Sequence, residues 1–244
     1  MKRLLLISSS RVHGSGYLDH CESEFRDFLG VVQRVLFVPY ALNDRPAYAG
    51  RVRERMAKMG IGVDSLQESD DSAKAVRSAE AIFIGGGNTF RLLNELYTRK
   101  LLDAIRRRVE EGVPYLGSSA GSNVACITIK TTNDMPIVLP PALDALGLVP
   151  FNINPHYVDP DTASTHMGET REERIREFHE MNRPVVVGLR EGAMLRIEGS
   201  RVWLRGTGGA RVFVKGEPAA EFSTGSSLDF LLAEGGNRRG STLL

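Results

Sequence analysis

Short apolar runs alternate with segments of helical periodicity through the first half of the chain. The runs that have the length and continuity of buried strands are residues 3–9, 34–39, 61–66, 81–84 and 113–116. Between them, apolar side chains recur at helical spacing, as Val52, Met56 and Met59 do. This alternation predicts a three-layer α/β fold, in which helices cover both faces of a mostly parallel central sheet. Such sheets bind ligands at the carboxyl ends of their strands.

The second half of the chain has a different pattern, with shorter and more polar runs. Thr170 and Glu173 have capping-box spacing and predict a helix that reaches about Met181. Residues 185–189 predict a further strand. Short antiparallel C-terminal strands are predicted at residues 193–197, 201–204 and 211–215.

Length and composition narrow the class of protein. The chain has 244 residues and no internal repeat or linker, so residues 1–234 are expected to form a single α/β domain and residues 235–244 a flexible tail. The formal net charge of +1 gives no reason to expect nucleic acid or an anionic membrane as a partner. Cys21 and Cys126 are too few and too far apart for a disulfide framework or a metal site. No run is long enough to span a bilayer or to act as a signal peptide, which favours a cytoplasmic protein.

Residues 113–123 (VPYLGSSAGSN) carry the strongest chemical signal. Gly117, Ser119 and Gly121 spell G-x-S-x-G after a strand-like run and before small residues suited to a helix start. This order is typical of a nucleophile elbow, in which a serine lies on a sharp strand-to-helix turn beside free helix N-terminal amides. The alternative is a Gly/Ser loop in which Ser119 only caps a helix.

A serine nucleophile needs a base and a carboxylate that orients the base. The histidines of the chain are His13, His20, His156, His166 and His179. His156 is the best candidate base, because it follows an apolar strand and a proline and should lie rigidly at a strand end. A hydrogen-bonded loop histidine is the alternative. Asp134 and Glu191 are both candidates for the carboxylate, and chain order does not choose between them.

An oxyanion hole needs backbone N–H groups aimed at the developing negative charge. Ala120 directly follows the candidate nucleophile and can supply one. The glycine triplet at residues 85–87 can supply another, with Gly87 the best donor. The triplet has two other interpretations, a phosphate-binding loop and a tight strand-to-helix turn. The first is disfavoured because the chain has neither a P-loop lysine after the triplet nor full G-x-G-x-x-G spacing.

Several blocks in the same order resemble the peptidase E family, the α-aspartyl dipeptidases of serine peptidase family S51. The matching blocks are residues 85–90 (GGGNTF), 117–121 (GSSAG), 131–138 (TTNDMPIV), 152–156 (NINPH), 168–171 (GETR) and 188–192 (GLREG). The resemblance spans nearly the whole chain. It implies a parallel-rich sheet like that of the class I glutamine amidotransferases, and cleavage of dipeptides after an N-terminal aspartate with no metal or cofactor.

The resemblance also implies roles for single residues. Ser119 would be the nucleophile and His156 the base. The resemblance offers both Asp134 and Glu191 as the third member. We favour Glu191 for direct contact with His156, with Asp134 then supporting the site less directly.

Recognition of an aspartyl substrate requires a cation for its carboxylate, and an arginine can bind a carboxylate bidentately. Arg171, in the matching GETR block, is the candidate. Its alternative role is an ion pair in the first turn of a helix. Asn88 and Thr89 could add polar contacts to the substrate, and Glu169 could hold Arg171 or receive the substrate ammonium.

The sequence is also compatible with two other functions. One is a related hydrolase that acts on β-aspartyl links, as cyanophycinases do, although the glycine and TTNDMP blocks disfavour it. The other is a non-catalytic protein that binds a dipeptide in the same crevice, which an intact Ser119 and His156 disfavour. A monomer or a homodimer is expected.

Overall fold

The structure, a computed structural model, describes residues 1–160, 165 and 167–233. The helices of this part of the chain are α1 (Glu22–Leu29), α2 (Arg45–Lys58), α3 (Ser72–Ser78), α4 (Thr89–Thr98), α5 (Leu102–Glu110), α6 (Ala120–Val124) and α7 (Arg171–Met181). Its strands are β1 (Arg3–Ile7), β2 (Arg34–Val38), β3 (Gly62–Ser65), β4 (Ile82–Ile84), β5 (Tyr115–Ser118), β6 (Asn152–Tyr157), β7 (Val186–Arg190), β8 (Ala193–Glu198), β9 (Arg201–Gly206), β10 (Ala210–Phe213) and β11 (Ala220–Phe222). The predicted tail at residues 235–244 and His166 lie outside the described residues, and the single-domain assignment stays a prediction.

The first sheet contains the strands that the apolar runs predict. Its order is β3-β2-β4-β5-β1-β8-β9, in which β1 to β5 are parallel and β8 and β9 are antiparallel additions at one edge. Residues 4–7 of β1 are fully buried, as a central strand covered on both faces requires. The predicted α/β class with a mostly parallel sheet is therefore confirmed.

Helices cover both faces of this sheet. On one face, Phe83 of β4 packs edge-on against Phe25 of α1 with ring centroids 5.6 Å apart, and Phe37 of β2 packs on Tyr48 of α2 at 5.0 Å. The opposite face packs on α4, α5 and α6 in a second apolar cluster. The predicted capping box at the start of α7 is also present, because Thr170 and Glu173 bond each other's backbone amides.

A second sheet, with order β11-β10-β7-β6, differs from the sequence-based expectation. The sequence predicts a strand that ends before Pro155, whereas β6 continues to Tyr157 and pairs in parallel with β7. The register shifts between Pro155 and Tyr157, which forms a β-bulge. Pro155 concealed the continuation of the strand to Tyr157, and the bulge removes His156 from the regular ladder. The strand β11 was not predicted.

The two sheets meet at a tight turn. Glu191 and Gly192 connect β7 of the second sheet to β8 of the first. Gly192 has φ +80°, a conformation that side chains other than glycine rarely adopt. On the other side of the junction, the amide of Ser8 at the end of β1 donates to Ala193 O at 3.1 Å. The junction therefore lies beside the carboxyl ends of β1 and β5, where the sequence predicts the site.

Candidate active site

Ser119 lies in the sharp turn between β5 and α6. Its backbone has φ +52° and ψ −108°, which is strained for a residue with a side chain. The flanking glycines allow this turn. A Cβ on Gly121 would lie 2.1 Å from Ile84 O, and one on Gly117 would lie 2.6 Å from Gly121 O. The turn leaves the Ser119 side chain half-buried at the end of the strand.

A hydrogen-bonded chain runs from Ser119 through His156 to Glu191. Ser119 Oγ is 3.0 Å from His156 Nε2, and His156 Nδ1 is 2.8 Å from Glu191 Oε1. If Glu191 accepts the Nδ1–H proton, Nε2 is left as the acceptor for the Ser119 hydroxyl. This is the arrangement in which an imidazole removes the proton of a serine nucleophile.

The backbone of His156 is held by residues distant in sequence. His156 has φ +52° at the bulge of β6. The buried Ser8 Oγ accepts from the His156 amide at 2.9 Å and donates to Leu189 O of β7 at 2.8 Å. Asn133 Nδ2 donates to Pro155 O at 2.6 Å on the other side. Bulges of this kind re-aim a side chain, and here the bulge directs the imidazole at Ser119.

Asp134, the other carboxylate that the sequence left open, has different partners. Its Oδ2 accepts from the Thr89 amide at 2.8 Å, from Thr89 Oγ1 at 2.5 Å and from Thr132 Oγ1 at 3.1 Å. These bonds tie the loop after β5 and α6 to the first turn of α4. Asp134 thus holds the glycine-rich turn in place, whereas Glu191 contacts His156.

The glycine triplet packs directly against the candidate nucleophile. A Cβ on Gly86 would lie 3.1 Å from Ser119 Cβ, and one on Gly87, which has φ +135°, would lie 2.6 Å from Ala41 O. Among the residues that the structure describes, the amides of Gly87 and Ala120 have no backbone or side-chain acceptor. Both amides are therefore free to donate to a ligand, and their role as an oxyanion hole stays a prediction.

A cavity of about 370 Å³ opens beside Ser119. Its wall includes Gly86, Gly87, Asp134 and His156 together with Ser119. Its size is that of a small-ligand pocket.

The side chains of the first turn of α4 are already engaged. Asn88 Oδ1 caps α4 by accepting from the Arg91 amide at 3.0 Å, and its Nδ2 donates to Met135 O at 2.8 Å. Thr89 is fully buried and bonds Asp134. Both predicted substrate contacts therefore serve to shape the turn in this structure.

Arg171 and Glu169 lie near the start of α7. Arg171 is the first residue of the helix and is half-buried, and its burial, with the nearby Arg174, lowers the pKa of its guanidinium. Glu169 is exposed and accepts from Arg174 Nε at 3.4 Å, so its ion pair is with Arg174 and not with Arg171. Neither Arg171 nor Glu169 is in the wall of the cavity beside Ser119. Their substrate roles stay predictions.

Sequence reasoning missed the residues that support the site from a distance. Ser8 and Asn133 hold the bulge of β6, and Tyr48 of α2 packs beneath the glycine triplet, where a Cβ on Gly85 would lie 2.2 Å from its hydroxyl. Ser8 had one available signal, since it is a polar residue at the carboxyl end of a buried strand. The others have no local signal.

Neither a metal-binding cluster nor a membrane-spanning helix occurs among the described residues. They contain no group of three or more His, Cys, Asp or Glu side chains that could hold a metal ion. They also contain no helix that is both long and apolar enough to cross a membrane.

Comparison with known proteins identifies the family. Residues 4–205 match the model of peptidase family S51. Peptidase E of Streptomyces coelicolor is 52% identical over 229 residues, with 94% of each chain covered. A probable alpha-aspartyl dipeptidase of Drosophila melanogaster is 49% identical over 95% of this chain and 98% of its own.

Solved structures show the same fold at lower identity. A putative peptidase E of Listeria monocytogenes has a TM-score of 0.64 at 24% identity, and covers 84% of this chain and 98% of its own. A peptidase of an acI-B1 actinobacterium has a TM-score of 0.68 at 18% identity, with 93% and 96% covered. From the family match and the near-full-length relatives, the chain belongs to peptidase family S51.

Proposed function

We propose that the chain is a serine dipeptidase that hydrolyses dipeptides with an N-terminal aspartate. The observation that carries the proposal is the hydrogen-bonded series Ser119–His156–Glu191, with distances of 3.0 and 2.8 Å. Beside it lie two backbone amides that have no acceptor among the described residues. Family membership and the name of the Drosophila relative support the aspartyl specificity.

The first half of the reaction acylates Ser119. His156 Nε2 takes the hydroxyl proton as Ser119 Oγ attacks the carbonyl carbon of the aspartyl residue. The amides of Gly87 and Ala120 stabilise the oxyanion that forms, and Glu191 stabilises the imidazolium. His156 then gives its proton to the leaving amine as the C–N bond breaks.

The second half releases aspartate. A water molecule gives a proton to His156 and attacks the acyl carbon, and the proton returns to Ser119 Oγ as the ester bond breaks. The chain's own residues supply each proton transfer. Arg171 is our candidate for the carboxylate of the aspartyl side chain, and Glu169 is our candidate for the substrate ammonium. Asn88 and Thr89 would act by shaping the turn that starts α4. A cytoplasmic location and a monomeric or homodimeric state are part of the same proposal.

The test is hydrolysis of a matched panel by the wild type and by Ser119→Ala. The panel is Asp-Leu, Asn-Leu, Glu-Leu, β-Asp-Leu and N-acetyl-Asp-Leu. We expect cleavage of Asp-Leu above all others, and its loss in the variant by a factor on the order of 10⁴ or more. A preference for β-Asp-Leu would assign the chain to β-aspartyl chemistry instead. Cleavage of no member would overturn the dipeptidase and favour a binding protein.

A further inference from the structure

Arg51 differs from the other arginines of α2. Arg45 pairs with Glu95 at 2.8 Å, Arg53 donates to Glu68 at 3.0 Å, and Arg55 pairs with two acidic residues at 2.7 and 3.0 Å. Arg51 is exposed, and no carboxylate of the described chain lies within ion-pair distance of it. An unpaired cation on a helix whose other arginines are ion-paired is available to a ligand.

The position of Arg51 places that cation in the active site. Arg51 lies in the wall of the cavity of about 370 Å³ that also contains Ser119 and His156. Its guanidinium carbon is 5.8 Å from the centre of the Tyr48 ring. Tyr48 is 3% exposed and is fixed by an edge-on contact with Phe37. The buried ring therefore provides a fixed surface for the guanidinium, and the cation–π contact favours this position.

Tyr48 also connects Arg51 to the oxyanion side of the site. A Cβ on Gly85 would lie 2.2 Å from the Tyr48 hydroxyl, so the ring extends beneath the glycine triplet. Arg11, in the loop after β1, adds a second exposed guanidinium to the cavity wall. This wall is thus positive, and it belongs to α2 and the β1 loop rather than to α7, which carries Arg171.

A dipeptide with N-terminal aspartate presents two carboxylates, one on its side chain and one at its C-terminus. Resting on the proposed function, which assigns the side chain to Arg171, we propose that Arg51 binds the C-terminal carboxylate of the leaving residue. A guanidinium can bind a carboxylate through two parallel hydrogen bonds. A third residue would replace this carboxylate with a neutral peptide group, so the contact makes the enzyme select dipeptides.

The test compares Asp-Leu with Asp-Leu-amide, which differ only in the C-terminal charge. We expect the wild type to favour Asp-Leu in kcat/KM by roughly ten- to a hundredfold, the usual range for a hydrogen bond to a charged group. Arg51→Gln should remove that preference by lowering kcat/KM for Asp-Leu alone, with Asp-Leu-amide changed by less than about threefold. Arg51→Lys should keep part of the preference because it keeps the charge.

Arg53→Gln is the matched control, because Arg53 lies on the same helix and is ion-paired to Glu68 away from the cavity. It should retain the wild-type preference. If Arg51→Gln lowered kcat/KM equally for Asp-Leu and Asp-Leu-amide, the proposal would be overturned. The proposal would also be overturned if Arg51→Gln kept the wild-type preference for Asp-Leu over Asp-Leu-amide. Loss of discrimination between Asp-Leu and Asn-Leu would instead assign Arg51 to the aspartyl side chain.

Calorimetric binding separates this inference from the proposed function. Asp-Leu and Asp-Leu-amide are titrated into Ser119→Ala with and without Arg51→Gln, so that no turnover is needed. A carboxylate preference that disappears with Arg51→Gln supports the inference even if the wild type cleaves neither peptide. Equal affinity for the two peptides in Ser119→Ala overturns it even if the wild type is an active dipeptidase.

Discussion

The two sides of the candidate site are built differently. On the nucleophile side, the turns after β4 and β5, the constraints are steric and mostly local: Gly117 and Gly121 are four positions apart, and Gly121 meets the neighbouring strand at Ile84 O. On the base side, the bulge of β6 and the β7–β8 turn, hydrogen bonds from distant residues fix the geometry. Ser8, for example, is 148 positions from the His156 amide that it accepts from.

The nucleophile side is the easier of the two to recognise in a sequence. A close backbone approach admits only glycine, so it leaves a fixed residue at a fixed spacing. A hydrogen bond to a backbone amide needs only some hydroxyl or amide side chain at the right place in space. Such a contact leaves no fixed spacing in the sequence, although its loss lowers the free energy of unfolding.

The substitution expected to have the largest effect disturbs the turn that carries Ser119. Gly121→Ala places a Cβ 2.1 Å from Ile84 O, a backbone atom that cannot move aside without disturbing β4. We expect the free energy of unfolding to fall by about 1–3 kcal/mol or more and kcat to fall about a hundredfold, because Ser119 and the Ala120 amide are displaced. Denaturant unfolding and Asp-Leu turnover measure the two effects.

The control for this substitution is Gly50→Ala. Gly50 lies in α2, and a Cβ there would have no atom within 4 Å. The control should gain about 0.5–1 kcal/mol of stability from helix propensity. Wild-type turnover in Gly121→Ala would show that the turn tolerates a side chain and would refute the steric account.

A substitution at Ser8 should have a smaller effect, by loosening the backbone that holds His156. Ser8→Ala leaves the His156 amide without the side chain that accepts from it and leaves Leu189 O without its donor. We expect a loss of about 1–3 kcal/mol in the free energy of unfolding and about tenfold in kcat, with KM little changed, because the imidazole loses its alignment to Ser119.

Ser78→Ala, at an exposed serine of α3, is the control and should change neither quantity by a measurable amount. If Ser8→Ala lowers stability but keeps the wild-type kcat, Ser8 supports only the fold and does not position the base.

On the base side, a buried histidine should make the stability of the fold depend on pH, with a smaller effect than the two substitutions above. His179 of α7 is buried, and its Nε2 lies 3.0 Å from Pro184 O, just before β7. Burial lowers the pKa of this imidazole below its ordinary 6.5, so the folded state favours the neutral form. The resulting stability is fully present above about pH 6.5 and is lost as the pH falls through the lower folded-state pKa.

The readout for His179 is the slope of the free energy of unfolding between pH 7 and pH 5. His179→Gln should make that slope shallower than in the wild type, whatever its effect at pH 7. An equal slope in the two proteins would mean that His179 does not contribute to acid destabilisation on the base side.

The sequence predicted most of the first sheet and the turn that carries Ser119, because apolar runs and glycine spacing are local signals. It also predicted that His156 and Glu191 would be neighbours, but only through a family resemblance. The bulge of β6 and its parallel pairing with β7 could not be predicted, since Pro155 concealed the continuation of the strand and pairing depends on distant residues. The roles of Ser8 and Arg51 depend on which neighbours lie nearby in space, and the local pattern does not specify these.

We infer that residues from both sheets act as one nucleophilic unit, in which Glu191 rather than Asp134 orients His156. Its most direct test is the rate at which a serine-directed fluorophosphonate modifies the protein, followed by intact mass in the wild type, Glu191→Gln, Asp134→Asn and Ser119→Ala. We expect a single adduct on Ser119, none in Ser119→Ala, labelling slowed on the order of a hundredfold in Glu191→Gln, and a smaller change in Asp134→Asn. An adduct in Ser119→Ala, or a greater loss in Asp134→Asn than in Glu191→Gln, would contradict it.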